Sequence, residues 1–153
     1  MDNKNEMMET DQTLDVLIQN SIELIQYARQ LTEKQVNMVQ LMTYYSLGKW
    51  IVEVQQEGQE RAKYGHKVIK TLSGSLTEKF GRGFSKANLE FFRRFYLNYK
   101  DRIAETVFRQ FAIEKTETVF RQLEENPPFI VSWSHYLQLM RIENMDERSF
   151  YEI

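Results

Sequence analysis

The chain has 153 residues, a formal charge of −2, 42% hydrophobic residues, 13% aromatics and no cysteine. That is the length of one domain with enough apolar material for a core, and the missing thiols exclude disulfides, zinc–thiolate centres and cysteine nucleophiles. No apolar run approaches the ~20 residues of a membrane span, and the polar opening "MDNKNEMMETDQ" has no signal-peptide core, so a cytoplasmic protein without membrane contact is expected.

In chain order, residues 1–11 read as a disordered tail. From Leu14 to Leu31 apolar residues recur at three- and four-residue spacing, which predicts an amphipathic helix. "TEKQ" at 32–35 has capping-box spacing and predicts the start of a second, long helix over about 33–56. "EGQERAKYG", 57–65, is the first loop candidate, although its centre could hold a helical turn. A third helix follows over 66–80, in which Gly74 costs roughly 1 kcal/mol relative to alanine.

"GRGFS", 81–85, reads as a turn, and Ser85 is a good N-cap for a fourth helix over 86–99. Two helices joined by a short glycine turn have helix-turn-helix layout, placed here at 66–99. The near repeat "ETVFRQF" (105–111) and "ETVFRQL" (117–123) predicts helix with a break near Ala112 and Ile113. "ENPPF" ends that region, because proline cannot continue a helix. "SWSHYLQLMRI", 132–142, opens on capping serines, and "ENMDERSFYEI" begins one more helix. The expectation is an all-α helical bundle: a domain over 12–124 and a C-terminal helical segment over 125–153.

Charge is distributed unevenly. Residues 61–102 hold eleven Lys/Arg against three acids, a net of +8, which leaves nine bases and nineteen acids, a net of −10, for the rest. Such asymmetry points to a polyanionic partner. On a helical wheel Leu89, Phe91, Phe92, Phe95, Tyr96 and Tyr99 take one half of the fourth helix and read as core, while Lys86, Arg93, Arg94 and Asn98 lie on the other. The bland reading of that second half is a solvated face. The sharper one is a recognition helix, with Lys86, Arg93, Arg94 and the turn residue Arg82 contacting DNA and Asn98 reading a base edge. Lys63, Lys67 and Lys70 would add phosphate contacts.

No catalytic motif accompanies this surface. His66 and His135 are 69 residues apart without metal-ligand spacing, and no phosphate-binding loop or nucleophile motif is present. No cofactor and no metal site are expected. Trp50 and Trp133 read as core, with partner anchoring as the alternative for Trp133.

The stretch 44–96 resembles the N-terminal domain of the bacterial YhcG family. The resemblance rests on Tyr45-x-x-Gly48-x-x-Ile51, Arg61-Ala-x-Tyr64-Gly65, Leu72-Ser73, Phe80-Gly-x-Gly-Phe-Ser85 and the helix Asn88-Leu-x-x-x-Arg93-x-Phe95-Tyr96, with "SWSHYLQLMRIENMDERSFYEI" as a second signature. It implies that a nuclease-like domain of PD-(D/E)xK type follows beyond Ile153, in proteins linked to DNA recombination and repair. This chain would then be non-catalytic and would present DNA to that domain. The rival expectation is an interaction module in which the long helices of 12–56 pair two copies into a homodimer without touching nucleic acid.

Overall fold

The computed structural model describes residues 2–29, 36–57, 61–142 and 145–152. Among them the chain is all-α: α1 (Asp2–Arg29), α2 (Val36–Glu57), α3 (Arg61–Phe80), α4 (Lys86–Tyr99), α5 (Glu105–Ala112), α6 (Thr118–Glu125), α7 (Trp133–Leu139) and α8 (Met145–Glu152).

The central element is α2. Between Val39 and Val54 it is buried on nearly every side, because α1, α3 and α4 all pack on it. It therefore serves this chain's own core. The polar residues it buries satisfy themselves: the Thr43 and Ser46 hydroxyls each donate to the carbonyl four residues back, at 2.7 Å, as Ser21 does in α1. Gly48 is the point of closest approach between α2 and α4. A Cβ there would lie 2.0 Å from the Phe92 carbonyl oxygen, so only glycine lets the two backbones pass at this distance.

Around that crossing the aromatic residues of α4 meet those of α2 and of the C-terminal segment. Tyr44 stacks on Phe92 with ring centres 4.1 Å apart, and Phe95 touches Phe129, Trp133 and Tyr136 at 4.8 to 5.2 Å. The segment from 125 onward thus packs Phe129, Tyr136 and Leu139 into the same core as α1 to α4. Trp50 is buried edge-on to Phe108, while Trp133 is half-buried within the aromatic cluster.

The predicted boundaries at 86–99, at the break after Ala112 and at the double proline match the helices found. Two others differ. Helix α1 begins at Asp2, where the sequence predicts a tail through residue 11. The chain there is tied to α3, with the Tyr64 hydroxyl donating to the Thr10 carbonyl at 3.2 Å and Lys67 paired with Asp11 at 3.0 Å. Helix α3 begins at Arg61, earlier than the predicted 66, because Tyr64 is a core residue whose burial favours extending the helix through "RAKYG". The capping box at 32–35 and the loop residues 58–60 lie outside the described residues.

Candidate nucleic-acid interface

The predicted interface is the α3–turn–α4 hairpin, and its local geometry follows from the sequence. Helix α3 runs out at Phe80, and the amide of Gly81 donates to the Thr77 carbonyl at 2.8 Å. Gly81 and Gly83 then adopt φ of +80° and +110°, left-handed values that side chains resist. Ser85 caps α4 by accepting from the Asn88 amide at 3.2 Å, and the Asn88 side chain reaches back to the Gly83 carbonyl. From α3, the Ser73 hydroxyl donates to the Phe84 carbonyl at 2.7 Å, so the turn is fixed to both helices it joins.

The expected contact residues divide into two sets. Lys70, Arg82, Lys86 and Arg94 are exposed and form no ion pair with the described residues. Lys70 and Arg94 lie on the sides of α3 and α4 opposite those that pack on α2, Lys86 opens α4, and Arg82 is the turn residue between the two glycines. Arg29, in the last turn of α1, adds a cation near the turn, with its guanidinium 4.7 Å from the centre of the Phe80 ring. The sequence offered no signal for Arg29, since its place depends on how α1 crosses α3.

The other set is engaged within the protein. Arg93 donates through Nε to Gln55 Oε1 at 2.9 Å and through Nη1 to Glu90 at 3.2 Å, which leaves its side chain about one-third exposed (35%). Gln55 completes the bridge by donating to the Gly65 carbonyl at 3.2 Å, so this one glutamine of α2 ties α3 to α4. Asn98, expected as the base reader, donates to the Arg94 carbonyl at 2.9 Å and accepts from Arg148 of α8. Lys67 pairs with Asp11. The Lys63 side chain lies outside the described residues.

Beside Arg93 an open cleft of about 620 Å³ separates the end of α2 from α3 and α4, lined among others by Gln55, Gln56, His66, Ile69, Glu90 and Leu97. Among the described residues no three His, Asp or Glu are placed to hold a metal ion, and no helix is long and apolar enough to cross a membrane.

A second polar cluster, not anticipated from sequence, lies where α4 ends. Arg102 grips the Glu152 carboxylate with both terminal nitrogens, and the Tyr136 hydroxyl donates to the same carboxylate at 2.6 Å while accepting from the Ile130 amide at 3.1 Å. Burial pushes the Glu152 carboxyl up, but the hydrogen bonds from Arg102 and Tyr136 outweigh it and hold the group below the usual carboxylate range. Burial, reinforced by the Glu152 bond, raises Tyr136 well above an ordinary phenol. The Arg102 guanidinium also lies over the Tyr99 ring at 4.3 Å, and Arg148 is 7% exposed, so α8 is anchored to α4 through Asn98 and to the residues just after α4 through Arg102.

Residues 20–153 match the family model described as the DUF1016 N-terminal domain. Over 141 residues the chain is 35% identical to the Escherichia coli (strain K12) protein named "Putative nuclease YhcG", an alignment that covers 86% of this chain and 38% of that protein. The chain therefore spans well under half the length of the curated relative it matches. No solved structure matches it.

Proposed function

This chain belongs to the DUF1016 N-terminal domain family, and from that premise we propose that it is the non-catalytic, DNA-engaging part of a nuclease, cytoplasmic, and serving DNA recombination or repair. The observation that carries the reading is the set Lys70, Arg82, Lys86 and Arg94: four exposed cations on one hairpin, none neutralised by an acid of the described residues. Of the acids on this side, Asp11 holds Lys67 and Glu90 holds Arg93, while Glu78 of α3 is exposed. Unpaired lysines and arginines on a rigid scaffold gain most from a ligand that brings its own dense negative charge, and duplex DNA carries one charge per ~1.7 Å of axis. The name of the E. coli relative supports the same partner class.

Fluorescence anisotropy of a labelled 30-base-pair duplex between 50 and 200 mM salt tests this. Binding in the range ~10⁻⁶ to 10⁻⁴ M, weakening steeply with salt, is expected. The double variant Arg82→Ala/Arg94→Ala should bind more weakly and flatten the log–log salt slope by ~1.8, from two lost phosphate contacts. No binding at 50 mM salt, or binding that ignores the double variant, would refute the proposal.

A further inference from the structure

We infer that this surface grips DNA by its phosphates alone, lying across the duplex without inserting α4 into the major groove, and therefore binds without sequence preference. The inference rests on the DNA-binding reading above and specifies its substrate class.

The first argument is steric. A helix with its side chains is ~10–12 Å across and the major groove ~12 Å wide, so a helix that reads bases must stand clear of its neighbours over much of its circumference. Helix α4 does not stand clear. Leu89, Phe92, Phe95 and Tyr99 face the core, one flank is tied to α2 through Arg93 and Gln55, and the other is tied to α8 through Asn98 and Arg148. The strip left to solvent runs through Lys86, Leu97, Glu90, Arg94 and Ala87, an arc on the order of 100° at 100° per residue.

The second argument is chemical. Direct readout uses side chains with two free hydrogen-bonding groups, such as an asparagine on adenine or an arginine on guanine. Asn98 has its amide nitrogen on the Arg94 carbonyl and its oxygen on Arg148. Freeing that oxygen for a base would strip an acceptor from a guanidinium that is 7% exposed. Arg93 likewise has Nε and Nη1 engaged, whereas the forks of Arg82 and Arg94 are free, and it is the steric limit on α4 that holds them to phosphates.

What remains free suits a rod of charge. Lys70 and Arg82 are twelve positions apart along α3 and its turn, roughly 18 Å at helical rise, a length over which duplex DNA presents about ten phosphates. Four flexible cations on such a hairpin find phosphate partners in any sequence.

The test compares the 153-residue chain on a panel of duplexes of equal length and different sequence, AT-rich, GC-rich and mixed, at a fixed salt concentration. The expected result is affinity within about threefold across the panel, with a log–log salt slope near −3.6 for four phosphate contacts, or ~150-fold loss from 50 to 200 mM. The charge-conserving variant Arg82→Lys/Arg94→Lys, which keeps phosphate contacts and loses the bidentate fork, should bind every duplex within about twofold of the parent. A tenfold preference for one duplex, or a tenfold loss in the lysine variant on that duplex alone, overturns sequence-independence while leaving DNA binding intact. Failure to bind any duplex at low salt overturns the DNA-binding reading and this inference with it.

Discussion

Replacing Gly48 by alanine tests the architecture at its tightest point. The new Cβ would lie 2.0 Å from the Phe92 oxygen, 2.7 Å from its carbonyl carbon and 3.1 Å from Tyr96 Cβ. The first two contacts are to backbone, which no rotamer change can relieve, so α2 and α4 must separate by more than an ångström. That movement opens the stack of Tyr44 on Phe92 and loosens the contacts of Phe92 and Phe95 with Trp133. Alanine's better helix propensity returns about 1 kcal/mol. Overpacking ordinarily costs 1–3 kcal/mol, and a clash with main chain belongs at or above the top of that range. A net loss of roughly 2–3 kcal/mol follows, which for a chain of this size lowers the melting temperature by about 5–10 °C. Gly74 is the matched control. It also lies inside a helix, but a Cβ there meets nothing within 4 Å, so Gly74→Ala should stabilise by ~0.5–1 kcal/mol from propensity alone. Thermal and urea unfolding followed by circular dichroism would measure both. If Gly48→Ala melts with the parent, or if the two substitutions shift stability in the same direction, the α2–α4 crossing described here is wrong.

Two further outcomes are expected from the same scaffold. Ser85→Ala removes the side-chain cap on the Asn88 amide and should cost about 1 kcal/mol, read as a lower urea midpoint with an unchanged m-value. Glu152 predicts a pH dependence. Its folded pKa is lowered relative to the unfolded chain, so its contribution is fully present above about pH 5 and is lost as pH falls through the folded value. Glu152→Gln should therefore destabilise the protein at pH 7 and flatten the acid limb of its stability curve, and a variant as acid-sensitive as the parent would remove Glu152 from that role.

The parts of this fold that were legible in the sequence are those whose causes are local. A serine followed by an amphipathic run marks the start of α4 and of α7, two glycines at positive φ mark the turn, and the double proline marks the end of α6, because each signal acts within one turn of the chain. The apolar half of the α4 wheel was correct for the same reason: Leu89, Phe92, Phe95 and Tyr99 are its buried residues, with Phe91 and Tyr96 half-buried at the edges. The candidate site was legible only in outline. A wheel gives the direction of a side chain relative to its own helix, and says nothing of what another helix lays over it. Arg93 and Asn98 point to the polar side as predicted, yet their partners, Gln55 and Arg148, are 38 and 50 residues away in sequence. Arg102 and Glu152, also 50 apart, leave no periodic trace at all. Composition could register that residues 61–102 carry an excess of +8. It could not tell which of those charges are held inside the protein, and that division separates a helix that reads bases from a surface that tracks phosphates.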